Sequence, residues 1–307
     1  MKRNKREGHC AICSRFKTLT FEHVPPNCSF NNKPIFMQTA DHLWDENSKL
    51  YGKKMASNRG LGGYTLCAEC NNKMGAWYAK DFCKFAKQGM EVLKAKISDS
   101  RAVEGVYVIK PLNVFKQITT MFMPADKSGY LRGRDDLVNF LLDQQSRTFP
   151  TDLKVYIYSN ASRFKRFVGY SVLYDPTLGI NRWSEINFQP FGYLLAENSK
   201  PPNEYMVEIT TWSEKAYDQQ CHINLVSHPE RSVKISGHTD NTGTESHNLT
   251  LSKRRADVVA EYLVNNGIDA NRLETFGLGS AKAIASNNTD EGRRKNRRVE
   301  LLIQDDQ

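Results

Sequence analysis

Nowhere does this 307-residue chain approach the run of roughly 18 apolar residues that a membrane-spanning helix needs, so the sequence predicts a soluble protein. An export signal is lacking too. Met1-Lys2-Arg3-Asn4-Lys5-Arg6 has the charge of a secretory leader, but Glu7-Gly8-His9-Cys10 stands where its apolar segment should follow, and the expected location is the cytoplasm. The composition has no extremes: 39% hydrophobic and 25% charged residues exclude a chain disordered throughout and a fibrous one. Seven cysteines in this length exclude a disulfide-stapled miniprotein, and the length itself allows one to three domains with their own cores.

The net charge of +9 is unevenly placed. Residues 230–307 hold 12 Lys and Arg and 12 Asp and Glu, so the whole excess lies in residues 1–229. That part of the chain carries the field that attracts a polyanion, although solubility alone is an equally good reason for it.

Four of the cysteines form two C-x-x-C pairs, Cys10 with Cys13 and Cys67 with Cys70, separated by 53 residues, while Cys28, Cys83 and Cys221 stand alone. Each knuckle supplies two sulfurs from one tight turn, and two knuckles complete the tetrahedral four-thiolate set that Zn(II) takes in structural sites. An odd count with paired knuckles fits a metal in a reducing compartment better than a disulfide framework.

Between the knuckles lies Phe21-Glu22-His23-Val24-Pro25-Pro26, a carboxylate beside an imidazole at an expected strand end. Leu66-Cys67-Ala68-Glu69-Cys70-Asn71-Asn72 then opens an expected helix. In order, Cys10-Cys13, Glu22-His23, Pro26, Gly62-Gly63, Cys67-Cys70 and Asn71 resemble the zinc-knuckle members of the HNH nuclease family. The resemblance implies a zinc-clamped ββα-metal module that cuts phosphodiester bonds. It assigns His23 as general base, Glu22 and Asn71 as ligands of a catalytic Mg(II) or Mn(II), and the four cysteines as holders of structural zinc. Oxygen donors suit a hard cation, and an imidazole titrates near working pH. Asn72 is an alternative to Asn71, and Asn58 is the candidate for orienting the base.

Residues 96–221 read as an α+β accessory region. Helices are expected over 73–94, from Pro111 with Leu112, Phe115, Ile118 and Phe122 on one face, and over 135–144. Strands are expected at 104–109, 154–158, 167–174, 185–188, 192–195 and 205–212, in an antiparallel meander. Trp77, Phe82, Phe85 and Ala86 are expected to pack against the next layer. Arg163, Lys165 and Arg166 with Phe164 and Phe167 suit either a nucleic-acid backbone or, preferably, a charged strand edge.

The last quarter changes character. Gly237-His238-Thr239-Asp240, Asn248, Leu251-Ser252 with Arg255-Ala256, Gly277 with Gly279, and Asn296-Arg297-Arg298-Val299-Glu300 resemble the OmpA-like peptidoglycan-binding domain over residues 226–304. The resemblance implies that Asp240 and Arg255 clamp the zwitterionic diaminopimelate side chain of a stem peptide, carboxylate to ammonium and guanidinium to carboxylate. The family's first strand and first helix have no obvious counterpart, unless Tyr205–Trp212 and Ser213–Cys221 substitute for them. Leu225-Val226-Ser227-His228-Pro229 looks like the tail of that helix.

The expectation is therefore an α+β protein in three parts: an HNH-like module over 1–95, the accessory region over 96–221, and an incomplete OmpA-like α/β sandwich over 222–307. Its expected function is a metal-dependent endonuclease acting on nucleic acid, most readily DNA. The alternatives are a peptidoglycan-binding protein of the cell envelope and an inactive HNH protein that binds nucleic acid.

Overall fold

The computed structural model describes residues 6–37, 49, 53–96, 103–161, 165–175, 179–199, 201, 206–227, 233–265 and 273–303. Two compact units emerge, one from residues 1–161 with 165–228 and one centred on 229–307.

The first unit begins with β1 (Glu7–His9), antiparallel to β2 (Phe16–His23), which pairs in turn with β5 (Gly62–Cys67). A small hairpin, β3 (Ile35–Met37) with β4 (Met55–Ser57), lies between them in sequence. Gly62 has a steric reason: a Cβ there would lie 2.0 Å from the Glu22 carbonyl oxygen on the neighbouring strand. Cys67 leads into α1 (Ala68–Met74), which continues through a π-helical stretch at Gly75–Ala79 into α2 (Lys80–Lys96).

Next come β6 (Val103–Ile109), α3 (Pro111–Ala125) with proline in its first turn, and α4 (Asp135–Leu142). Helix α3 departs from the expected one-sided burial. Asn113, Lys116, Gln117, Thr119 and Thr120 are buried along with Leu112, Phe115, Ile118 and Phe122, because other elements surround it. A five-stranded antiparallel sheet follows, made of β7 (Leu153–Ser159), β8 (Arg166–Asp175), β9 (Gly179–Phe188), β10 (Phe191–Glu197) and β11 (Val207–Glu208), in the order β11-β7-β10-β9-β8. The run β8-β9-β10 is the expected meander.

The aromatic stripe of α2 packs on this sheet. Phe85 stacks on Phe191 at 4.6 Å with the planes 9° apart, and Phe82 lies 6.0 Å from Tyr193. Each fully buried ring contributes about 1.5–3 kcal/mol. One continuous core runs from Cys10 and Ile12 through Phe82, Phe115 and Leu141 to Tyr193 and Leu225, so residues on both sides of position 95 share it.

The stretch after β10 differs from the sequence reading. The expected strand over 205–212 is only β11, followed by a 3-10 turn at Thr210–Glu214; Tyr205 lies outside the described residues. Leu225 belongs not to a helix tail but to β12 (Cys221–Ser227), which pairs antiparallel with β6 across its whole length. These residues complete the first unit and do not replace the missing strand and helix of the second.

In the second unit β13 (Val233–Gly237) is central. It lies parallel to β14 (Leu273–Gly277) and antiparallel to β15 (Val299–Ile303). Helix α5 (Glu245–Asn265) starts six residues before the expected Leu251, capped by Thr244, whose hydroxyl accepts from the His247 N–H at 3.3 Å. It covers the sheet through two partnered glycines. A Cβ on Gly237 would sit 1.9 Å from the Ser252 carbonyl oxygen, and one on Gly277 would sit 2.6 Å from the Leu249 oxygen. Helix α6 (Asp290–Asn296), unforeseen in the sequence, is capped by the Thr289 hydroxyl.

Among the described residues no helix is long and apolar enough to cross a membrane.

Candidate functional site

Two sites take shape, one in each unit. In the first, Cys10 and Cys13 sit in the β1–β2 turn, which closes through the Ser14 N–H on the Cys10 oxygen at 3.0 Å and the Cys10 N–H on the Arg15 oxygen at 3.0 Å. Cys67 ends β5 and Cys70 lies in α1. The four sulfurs all fall within 4.8 Å of one another, and Cys13 Sγ is 3.9 Å from Cys67 Sγ. A tetrahedral Zn(II) with Zn–S bonds of about 2.3 Å sets its sulfurs about 3.8 Å apart, so the donor set and its size both fit that ion. Hydrogen bonding with Cys70 pulls the Cys10 pKa down, and the Cys67 N–H on its sulfur at 3.4 Å helps. The same pairing and burial push Cys70 up.

Strand alternation sends Glu22 and its neighbour His23 to opposite faces of β2. Glu22 is buried on the α1 side, where its carboxylate accepts from the Thr65 hydroxyl at 3.0 Å; burial pushes its pKa up to about 8. Asn71 is on the same side. Its amide nitrogen donates to the Thr20 hydroxyl at 2.9 Å and the Phe21 carbonyl at 3.3 Å, and among the described residues no hydrogen bond reaches its side-chain oxygen, the atom a cation would take. Asn72 is exposed, so the helix phase turns Asn71 toward β2. His23 lies on the other face, edge-on to the Phe21 ring at 5.1 Å. Among the described residues no hydrogen bond joins it to Glu22 or Asn71. Asn58 is exposed in the turn before β5.

Cys28 and Cys83, expected as separate thiols, form a disulfide between the loop after β2 and helix α2. Their 55-residue separation hid the pairing, because no local spacing reports it. Of the basic cluster near 163–167, Arg163 and Phe164 lie outside the described residues. Arg166 pairs with Glu185 at 3.0 Å, and Lys165 lies over the Phe188 ring at 5.0 Å.

In the second unit, Gly237-His238-Thr239-Asp240 leads from the end of β13 into a turn. The Thr242 N–H donates to Asp240 Oδ1 at 2.9 Å and the Arg297 guanidinium to Oδ2 at 2.6 Å. Together, with the backbone bond foremost, they hold the Asp240 pKa below the usual carboxylate range. Buried Asn248 donates to the Asp240 carbonyl at 3.3 Å. Arg255 reaches from α5 to the His238 carbonyl at 3.2 Å. The turn thus gathers the expected carboxylate and guanidinium, and adds a second guanidinium that carried no assigned role in the sequence although its motif was visible. Asn296 is a structural tie. Its oxygen accepts from the N–H groups of Ile284 and Ala285 at 2.9 and 3.0 Å, and its nitrogen donates to the Ala285 oxygen at 2.8 Å.

The OmpA family matches residues 207–297. Peptidoglycan-binding protein ArfA of Mycobacterium tuberculosis (strain ATCC 25618 / H37Rv) is 53% identical over 75 residues, which is 24% of this chain and 23% of that protein. Probable lipoprotein YiaD of Escherichia coli (strain K12) is 48% identical over 79 residues, 26% of this chain and 36% of that protein. The peptidoglycan-associated lipoprotein from Burkholderia pseudomallei is 34% identical with a TM-score of 0.24, over 24% of this chain and 63% of that structure. The chain therefore carries a C-terminal OmpA-like domain, and it spans about a quarter to a third of the length of these two curated relatives.

Proposed function

We propose that the second unit binds peptidoglycan through a stem-peptide zwitterion held by Asp240 and Arg255, and that the protein works in the cell envelope. The observation that carries this reading is a fixed carboxylate on the turn after β13 and a guanidinium brought to the same turn from α5, with Asp240 oriented by the Thr242 N–H and Arg255 tied to the His238 carbonyl. A zwitterion needs both charges at fixed spacing. The family match at 207–297 and the likeness to ArfA support it. The Cys28–Cys83 disulfide favours an oxidising compartment over the cytoplasm. The test is titration of the full chain with a diaminopimelate-containing tripeptide, together with sacculus pull-down. Arg255→Ala and Asp240→Asn are each expected to weaken binding more than tenfold, as loss of a charged partner does. Binding unchanged in Arg255→Ala would defeat the assignment.

A second reading is favoured by the thiolate cluster: a metal-dependent HNH-type endonuclease in the first unit. Cys10, Cys13, Cys67 and Cys70 would hold zinc as a clamp between β1, β5 and α1, and Glu22 and Asn71 would offer oxygen atoms to Mg(II) or Mn(II). Such an ion supplies positive charge against the developing phosphorane. His23, the base that the resemblance assigns, lies across β2 from Glu22 and Asn71, so it would take the proton only of a water that reaches round the strand end. Metal analysis should find about one zinc per chain, lost in Cys67→Ser/Cys70→Ser. Plasmid and RNA cleavage with Mg(II) or Mn(II) should vanish in His23→Ala; absence of cutting by the folded, zinc-loaded chain rejects it. Nucleic-acid binding without cutting would leave the inactive HNH alternative.

A further inference from the structure

The face of the β1-β2-β5 sheet away from α1 carries a row of rings. Tyr64 is the register partner of Phe21, and their centroids are 5.5 Å apart at 79°. Phe21 meets His23 edge-on at 5.1 Å and 80°. Two guanidinium groups lie on this row: Arg6 with its Cζ 4.3 Å from the Tyr64 centroid, and Arg59 with its Cζ 5.4 Å from the Phe21 centroid. The Arg6 backbone is fixed by the Leu19 N–H on its carbonyl at 2.7 Å. Arg59 stands in the turn before β5, which the Ser57 hydroxyl closes on the Gly60 carbonyl at 2.6 Å.

Both arginines are exposed, and among the described residues neither meets a carboxylate. Arg15, by contrast, is paired with Glu69 at 3.1 Å. A guanidinium laid on a ring keeps its N–H fork free at the edge and gives up little freedom when an oxyanion arrives.

We propose that Arg6 on Tyr64 and Arg59 on Phe21 form a phosphate clamp that seats a nucleic-acid strand along this sheet face, beside His23. The proposal rests on the nucleic-acid reading of the first unit. Adjacent fixed forks suit adjacent backbone phosphates, and the chain's excess of nine positive charges lies within residues 1–229.

The test is fluorescence anisotropy of a short labelled DNA, single-stranded and duplex, titrated with the full chain over a salt series without added Mg(II). Arg6→Ala/Arg59→Ala should weaken binding about tenfold and flatten the dependence of log K on log salt by about two phosphate contacts. Arg6→Lys/Arg59→Lys, which keeps charge but loses the planar fork, should fall in between. Arg15→Ala, already paired, should stay within about twofold. Zinc content and circular dichroism confirm that each variant is folded.

Unchanged affinity and slope in the double alanine variant, an equal loss in Arg15→Ala, displacement by polyglutamate as readily as by DNA, or no binding by the folded chain would each overturn the clamp. A chain that binds through the two arginines yet never cuts with Mg(II) sinks the nuclease reading and keeps the clamp. A chain that cuts, with the double variant binding normally, does the reverse.

Discussion

Asp240 and Arg297 are joined by a 2.6 Å hydrogen bond, so the carboxylate assigned to a ligand ammonium already has a cation on it. Arg297 is 42% exposed but Asp240 only 10%, and a pair with one open partner is worth about 1 kcal/mol, while the Thr242 N–H stays on the carboxylate when the guanidinium is removed. Arg297→Ala should therefore leave folding nearly unchanged and tighten diaminopimelate-peptide binding by up to about fivefold. Calorimetry decides it. A tenfold loss would make Arg297 a ligand-holding residue instead of a competitor.

Gly237 and Gly277 are register partners beneath α5, and at both positions the obstacle to a Cβ is helix backbone, which cannot swing aside. Gly237→Ala should destabilise the second unit by about 3 kcal/mol or more. The four tryptophans, Trp44, Trp77, Trp183 and Trp212, all precede this unit in the sequence, so fluorescence misses it. Hydrogen exchange over α5 is the suitable readout, and wild-type protection there would contradict the packing argument.

His238 is fully buried, and burial lowers its pKa below the model-peptide value of 6.5. Its folded form stays neutral while the unfolded chain protonates, so the unfolded state binds more protons as pH falls below about 6.5. Stability of the second unit is thus complete above that pH and declines on acidification toward the folded pKa. His238→Asn should remove the slope between pH 6.5 and 5. Asp240 and Glu300, both with lowered pKa values, act only in more acid solution.

Lys116 is wholly buried in α3, with its ammonium on the carbonyls of Phe140 at 2.7 Å and Asp143 at 2.5 Å. It satisfies the open carboxyl end of α4, where the helix dipole favours a cation. Lys116→Met keeps the stem but strands those oxygens, and should cost about 2–4 kcal/mol in denaturant melts followed by tryptophan fluorescence. A variant as stable as the parent would show that water reaches the carbonyls.

What could be read in the sequence was local. The C-x-x-C spacing, the strand ending on Glu22-His23, the Asn71 helix and the G-H-T-D turn are each set within a few residues, and each sits where the pattern placed it. What escaped depends on distant partners. The Cys28–Cys83 bond spans 55 residues, and the pairing of β12 with β6 joins positions more than a hundred apart; no periodicity announces either. Helix α3 looked one-sided because Lys116, Thr119 and Thr120 count as polar, whereas the fold buries them by giving them carbonyl and sulfur partners. Arg297 was visible as a residue but not as a partner, since its contact with Asp240 closes over 57 positions.

The match to the OmpA family starts at residue 207, inside the first unit. A C-terminal fragment cut to that match would take Ile209, Trp212 and Leu225 out of a core they help fill, and would remove Asp218 from Asn113 and Tyr217 from Gln144. The scissors belong downstream of β12: a break there leaves the first unit its described strands, whereas one at 207 leaves it a torso with β6 stripped of its β12 partner along its length.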